Sequence, residues 1–336
     1  MQDLTDARLF GENEQRRFSE ICFQIREPVA LVISASQVVY LTRRKVIILP
    51  FHRFGCQAKL AFLFRLLSRF PLRLLHGIGA VFGQIVYLLS PRNRRIAMQN
   101  LAIAGLDSRV SPRESMSHSG RTMFELPWLW LRPQAEVVAK VVEVSNWQLV
   151  EAAHAAQKGI VFLTPHLGCF EITAQYYAVR APMTVLYRKP KQTWLMPLVE
   201  QGRGANLRLA AADVSGVRAL MKALRAGEAI GMLPDQVPGN GEGAWIPFFG
   251  KPAYTMTLAA RLAQTGATVL FAYAERLPHG TGYHLKLFPL SDPLSGTLEQ
   301  NAATINRALE TLIRECPVQY AWNYNRYKVP AGANPP

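Results

Sequence analysis

Cysteine is scarce and scattered. The chain has four, Cys22, Cys56, Cys169 and Cys316, and no two form a C-x-x-C pair. That spacing offers neither a zinc knuckle nor a disulfide framework, and it suits reduced thiols in a reducing compartment. No cluster of metal ligands or Gly-rich phosphate loop appears, so no metal or cofactor is expected. Gly77, Gly79 and Gly83 follow no strand and have the wrong spacing for a dinucleotide-binding turn. Nothing at Met1 resembles a cleavable signal peptide, since acidic and polar residues come first. Acidic residues are also few, with 23 Asp and Glu against 38 Lys and Arg, a formal net charge of +15. Such a surface suits anionic lipid headgroups, phosphorylated substrates, nucleic acid or an acidic carrier protein. The sequence holds no recognisable nucleic-acid module and no basic stretch interleaved with aromatics, so nucleic acid is not an expected partner.

What is present is a chain of 336 residues, 49% apolar, enough for one large α/β domain with attachments or two small domains. Residues 1–57 form an N-terminal extension of unassigned role. Its longest apolar run, Val29 to Leu41, is about 13 residues, short of the ~20 that cross a bilayer. A start codon placed too far upstream would account for this segment, and the intact mass of the natural product tests that. Residues 58–95 read as a membrane-anchoring helical segment. Arg65 and Arg69 lie four apart in an apolar stretch and are expected to share one helix face in a headgroup region. Pro71 restarts a helix, and Leu74 to Ser90 then runs about 17 residues without formal charge, the lower limit for a span. Gly79 and Gly83 permit close helix contact. Arginines flank both sides, so orientation, and the choice between a span and a helix lying on the surface, stay open.

Residues 96–330 read as the main domain, with a loose tail at 331–336. Ser111-Pro112-Arg113-Glu114, Ser145 to Gln148 and Thr297 to Gln300 carry capping-box patterns. Strands are expected at Ile160 to Thr164, Met183 to Tyr187, Ala229 to Leu233, Thr268 to Ala274, Tyr283 to Phe288 and Gln319 to Tyr324. The fifth pairs with the fourth as a hairpin across Pro278 to Gly282. Alternation with helical stripes such as Val217, Leu220, Met221 and Leu224 predicts an α/β fold, a mostly parallel or mixed sheet with helices on both faces.

The first three expected strands run into Pro165-His166, Arg188-Lys189 and Pro234-Asp235-Gln236. Ligands of open α/β sheets sit beyond the carboxyl ends of strands, so His166, Arg188 and Asp235 should gather at one edge. The sharpest element is His166-Leu-Gly-Cys-Phe-Glu171. On one continuous helix its two ends would stand about 140° apart. A turn at Gly168 with a helix starting near Cys169 lets Glu171 reach back to one imidazole nitrogen and leaves the other to take a proton. A helix-capping Glu171 beside a packed His166 fits the same spacing.

Residues 58 to about 328 resemble the late acyltransferases of lipid A biosynthesis in Gram-negative bacteria, the lauroyl- and myristoyl-transferring family. The resemblance rests on FRLLSRFPLRLLHGIGAVFGQIVYLLSPRNRRIAMQNL, TPHLGCFE, VLYRKPK, LPDQ, PFFGKPAYT and QYAWNYNR, in that order. The family's H-x-x-x-x-E/D signature falls on His166 and Glu171, its arginine after the next strand on Arg188, and its Asp-Gln element on Asp235 and Gln236. Where the family often has a second Asp, this chain has Val237. The resemblance implies a glycerolipid-acyltransferase-like fold, an acyl carrier protein thioester as donor and a phosphorylated, Kdo-bearing lipid A precursor as acceptor. It also implies work at the cytoplasmic face of the inner membrane.

On this reading His166 is the general base and Glu171 orients and stabilises the imidazolium. Arg188 binds phosphate or the donor's anionic groups, or helps hold the oxyanion. Asp235 positions Arg188 or a substrate hydroxyl, with Gln236 beside it in substrate binding. Phe248, Phe249 and Gly250 wall an acyl or acceptor channel. Trp322, Tyr324 and Arg326 read as core, Lys189 and Lys191 as a solvated basic rim. Cys169, inside the signature, has no better activator than His166 itself, which argues against a covalent acyl-enzyme.

Overall fold

The computed structural model describes residues 30–33, 37–41, 46–50, 56–190, 192–201, 207–239 and 241–335. The chain divides into two compact units, Met1–Leu66 and Leu67–Pro336. In the first, β1 (Ala30–Ile33), β2 (Gln37–Leu41) and β3 (Val46–Pro50) form an antiparallel sheet in the order β1-β2-β3. Within the apolar run Val29 to Leu41, residues 30–33 and 37–41 are strand. Helix α1 (Cys56–Leu67) follows and ends before Arg69, so Arg65 and Arg69 do not share a helix face as expected. Pro71, which lacks a backbone N–H, precedes a new helix rather than continuing this one.

The second unit opens with α2 (Leu72–Leu89), α3 (Pro91–Ala104), α4 (Pro112–Leu131) and α5 (Gln134–Val138). Helix α2 is two-faced. Leu72, Leu75, His76, Gly79 and Gly83 recur at helical spacing and are buried. A Cβ on Gly79 would meet the Gly120 carbonyl oxygen at 2.7 Å, and one on Gly83 would meet that of Met116 at 2.0 Å. The two glycines thus let α2 lie backbone to backbone on α4. On the opposite face Leu74, Ile78, Val81, Ile85 and Leu88 are exposed. By length and composition α2 is the one helix among the described residues apolar enough to cross a membrane.

The remaining elements are β4 (Val141–Ser145), α6 (Gln148–Ala156), β5 (Ile160–Leu163), α7 (Phe170–Ala178), β6 (Met183–Tyr187), α8 (Met196–Gln201) and β7 (Leu207–Ala211). After them come α9 (Val214–Arg225), β8 (Ala229–Met232), β9 (Gly243–Phe248), β10 (Lys251–Met256) and α10 (Leu258–Ala263). The chain closes with β11 (Thr268–Arg276), β12 (Tyr283–Pro289) and α11 (Leu298–Glu315). Seven strands form one sheet in the order β4-β12-β11-β5-β8-β6-β7. Every neighbouring pair is parallel except the β11–β12 hairpin, which is the one foreseen across Pro278 to Gly282. β9 and β10 make a separate antiparallel hairpin.

Strand alternation divides the core between two layers. Val161 and Leu163 of β5 pack with Leu220 and Leu224 of α9 and Leu309 and Ile313 of α11. Ile160 and Phe162 belong to the cluster that holds Val150 of α6 and Tyr177 of α7. The expected mixed α/β sheet with helices on both faces is what the chain forms.

Local expectations were met unevenly. Thr297 and Gln300 make a complete capping box on α11. Ser111 precedes Pro112 at the start of α4 but makes no side-chain cap. Ser145 caps nothing, because it ends β4 and its hydroxyl is bonded to His284. Gln319 to Tyr324 is not a strand. Pro317 starts a single 3-10 turn, and the segment then bonds to the loop around His166 through a bridge between Leu167 and Tyr320.

Candidate active site

His166 lies three residues beyond the end of β5, where the chain must leave the sheet edge and turn into α7. The turn is fastened on three sides. The Gly168 N–H donates to the Gln319 carbonyl and the Cys169 N–H to the Ala274 carbonyl, while the His166 carbonyl accepts from Ala321. Gly168 has φ +60, and a Cβ there would stand 2.1 Å from the Ala274 oxygen. Both the left-handed backbone and the close approach require glycine. Gly168→Ala is expected to cost about 1–3 kcal/mol in strain and to displace His166. Thermal unfolding and turnover measured together check this, since a variant with wild-type melting would mean the turn is not so constrained.

Asp235 stands just beyond β8, the parallel neighbour of β5. Its two carboxylate oxygens grip His166 twice, Oδ2 accepting the backbone N–H at 2.9 Å and Oδ1 facing the ring Nδ1 at 2.8 Å. Asp235 is buried, which by itself raises a carboxyl's pKa. The neighbouring His166 charge and the hydrogen bonds from its ring and backbone outweigh that and hold Asp235 below the usual carboxylate range. An ionised carboxylate can only accept, so Nδ1 carries a proton, and in the neutral ring Nε2 keeps the lone pair. The Gln236 amide donates to that Nε2 at 2.9 Å. The ring also packs against Phe170, with centroids 4.9 Å apart.

This corrects the expected pairing of His166 with Glu171. Glu171 does occupy the first turn of α7, as foreseen, but its Oε1 accepts the Trp130 indole N–H at 2.9 Å. Both ring nitrogens of His166 are met by the Asp235-Gln236 dipeptide. The Asp235 carboxylate is thus bonded to the His166 ring and backbone. Arg188, exposed at the end of β6, lines the same cavity as His166, Glu171 and Gln236. Strand-end reasoning thus brought together the right loops and missed which side chains bond.

The cavity measures about 290 Å³. Beyond those four polar groups its wall includes Ala174 of α7, Met183 and Val185 of β6, Leu207 of β7 and Met232 of β8. The expected aromatic channel is not there. Phe248 and Phe249 are buried in the core, packed on each other and, for Phe249, on Trp322, while Gly250 occupies the β9–β10 turn with φ +75. The turn buries the adjacent aromatics against α11, where Glu310 accepts the Phe249 N–H. Trp322 and Arg326 are core, as read; Arg326 is buried and donates to the Tyr254 carbonyl and the Thr255 hydroxyl. The Val237 N–H donates to the Tyr324 hydroxyl, so the backbone after Gln236 is held from the same C-terminal segment. Lys189 is exposed, and Lys191 lies outside the described residues. Cys169 is fully buried; burial and the nearby Glu125 charge push its thiol well above the ordinary range, which disfavours a nucleophile.

Residue-by-residue reading missed the support beneath the turn. Arg276, buried at the end of β11, donates through Nη2 to the Gly168 carbonyl at 2.7 Å and through Nε and Nη2 to both oxygens of buried Glu125 on α4. His76 of α2 and the Tyr283 hydroxyl bond the same carboxylate. The available signal was Glu125 itself, a lone carboxylate in the otherwise apolar stretch Met123 to Leu131.

The sequence profile of the bacterial lipid A biosynthesis acyltransferases matches residues 52–329. The chain belongs to that family. It is 25% identical over 272 residues to the lipid A biosynthesis lauroyltransferase of Escherichia coli K12, covering 78% of this chain and 88% of that protein. It is 26% identical over 267 residues to the palmitoleoyltransferase of the same organism, covering 77% and 86%. A lipid A biosynthesis acyltransferase of Haemophilus influenzae is 27% identical over 280 residues, covering 77% and 85%. The family match begins at residue 52, so β1 to β3 lie outside it.

Proposed function

We propose that the chain transfers a fatty acyl group from an acyl carrier protein thioester to a hydroxyl of a phosphorylated, Kdo-bearing lipid A precursor, with His166 as general base. The observation that carries this reading is the His166-Asp235 pair opening on a cavity that is polar around the imidazole and otherwise largely apolar. Asp235 fixes the tautomer in which Nε2 is basic, and it opposes the charge that forms when Nε2 is protonated. The acceptor hydroxyl takes the place of the Gln236 amide at Nε2 and attacks the thioester carbonyl. Nε2 receives the hydroxyl proton, and a tetrahedral oxyanion forms. When the carbon–sulfur bond breaks, the imidazolium returns that proton to the leaving thiolate. The displaced Gln236 amide and Arg188 are the donors available to the oxyanion. Glu171, held by Trp130 on the same cavity, adds a negative charge that favours imidazolium. The hydrocarbon chain lies along Met183, Val185, Leu207 and Met232. No step requires a metal or cofactor.

The proposed attachment is to the inner membrane, with the domain on its cytoplasmic side. Helix α2 is 18 residues long, about 27 Å, under the ~30 Å of a bilayer's hydrocarbon core. Its inner face is committed to α4, which carries Arg113, Glu114, His118, Arg121 and Glu125 and is no partner for lipid tails. A helix lying in the headgroup region with Leu74, Ile78, Val81, Ile85 and Leu88 toward the lipid fits both facts. Arg69, Arg73, Arg92 and Arg95 are exposed around it and suit anionic headgroups.

The test is an acyl-transfer assay read by mass spectrometry. Membranes carrying the chain meet a series of acyl carrier protein thioesters and a tetraacylated lipid A precursor, beside a lysophospholipid control. The expected product is the lipid A precursor heavier by one acyl group. Acylation of the lysophospholipid alone would reassign the site to glycerolipid chemistry.

A further inference from the structure

A second cavity, of about 550 Å³, is walled by the first turns of α2, the middle of α4 and the turn between β11 and β12. None of its lining residues lines the His166 cavity. Its charge is one-sided. Arg73, Arg121 and Arg276 line it against one carboxylate, Glu275, which is paired with Lys286 at 2.7 Å.

Two buried donors in its wall have no partner among the described residues, Arg276 Nη1 and His118 Nδ1. Arg276 spends Nε and Nη2 on Glu125, Thr122 and Gly168, leaving Nη1 unused. His118 Nε2 accepts from Arg121 at 2.9 Å, so its proton sits on Nδ1. Burial, with the charges of Arg121 and Arg276, holds His118 down to about 3, so the ring is neutral and Nδ1 is a donor at any physiological pH. Both orphan groups lack an acceptor, and buried donors rarely go without one. A ligand that supplies oxygen acceptors and negative charge completes this wall; a cation or a donor would not.

The cavity reaches the surface beside the apolar face of α2. Arg73 and Gly77 are exposed there, next in sequence to the exposed Leu74 and Ile78, and His279 is exposed on the facing turn. The β11–β12 turn is fitted closely to α2, since a Cβ on Gly280 would lie 2.6 Å from Arg73 Cα. A lipid lying against Leu74 and Ile78 brings its headgroup to Arg73. The geometry points to a second binding site here, separate from the catalytic one, for a phosphate monoester carried on a lipid headgroup. The Arg73 and Arg121 guanidinium groups, the unused Arg276 Nη1 and the neutral His118 Nδ1–H suit a dianion with several acceptor oxygens better than a singly charged diester. This site uses neither His166 nor Asp235 and stands whether or not acyl transfer is the reaction.

The experiment is vesicle co-sedimentation of the purified full-length chain. Phosphatidylcholine vesicles carry either phosphatidic acid, a bisphosphorylated glycolipid or phosphatidylglycerol, matched in surface potential. The chain is expected to bind at least one of the two monoester lipids about tenfold more tightly than the phosphatidylglycerol diester. Arg121→Gln and, separately, the exposed Arg73→Gln should each remove most of that margin. Arg92→Gln, outside the cavity, should weaken all anionic vesicles alike and keep it. A margin with phosphatidic acid assigns the site to phospholipids, and one with the glycolipid alone assigns it to phosphorylated sugar lipids. Equal binding to monoester and diester, or a margin that survives both Arg73→Gln and Arg121→Gln, overturns the site.

Discussion

Asp235→Asn is expected to lower kcat by ~10²–10⁴-fold while the fold persists. The carboxylate makes two bonds to His166, one to the ring and one to the backbone N–H. An asparagine fills the same space, and its amide oxygen can keep one of them. It cannot counter the charge of an imidazolium, and its NH2 favours the tautomer with the proton on the wrong nitrogen. Glu171→Gln should cost less, because its carboxylate is bonded to Trp130 rather than to the imidazole. Steady-state kcat of the two variants, with circular dichroism to confirm the fold, decides the order. If Glu171→Gln is the more damaging, the assignment of Asp235 as the orienting carboxylate is wrong.

The second large effect is on stability. Arg276→Met should destabilise the protein by about 3–5 kcal/mol, because it leaves Glu125 charged, buried and short of its main partner. Glu125 is 1% exposed. Burial pushes such a carboxyl up, but the Arg276 charge and the hydrogen bonds from His76 and Arg276 bring it down to about 2 from an ordinary 4.5. Because the folded value is depressed, its stabilisation is present above about 4.5 and is lost as pH falls toward about 2. Adding Glu125→Gln to Arg276→Met should recover part of the loss, since an amide is less costly to bury than an unpaired charge. Denaturant unfolding of the single and double variants measures this; a double variant no more stable than the single would show that the charge is not the cause. The same ion pair holds the Gly168 carbonyl, so Arg276→Met should also reduce turnover in whatever fraction remains folded.

How far the sequence could be read depended on the range of the interaction. The six-residue signature was legible because Gly168 and Glu171 act within one turn. The ends of β5, β6 and β8 were legible because short apolar runs stop abruptly at Pro165, Arg188 and Pro234. The pairing of His166 with Asp235 was not, because the two meet only when β8 pairs beside β5, across 69 positions. Glu125 and Arg276 are 151 positions apart, and neither carries a local motif. The Phe248-Phe249 doublet could line a channel or fill a core equally well by pattern, and the β9–β10 turn decided for the core. Of the seven-stranded sheet, strands β4 and β7 were not legible. β7, flanked by Arg208 at its second position, is only partly buried at the sheet edge, and β4 is half exposed, so neither shows a sustained apolar run.

In the proposed mechanism His166 supplies the base for acyl transfer. The most direct test of this role is single-turnover transfer from an acyl carrier protein thioester to the lipid A precursor, comparing wild-type membranes with membranes carrying His166→Ala at equal protein content. The expected result is a lipid A precursor heavier by one acyl group from the wild type and none above background from the variant, with both chains equally attached to membranes. A variant that transfers at a near-normal rate would show that His166 is not the base.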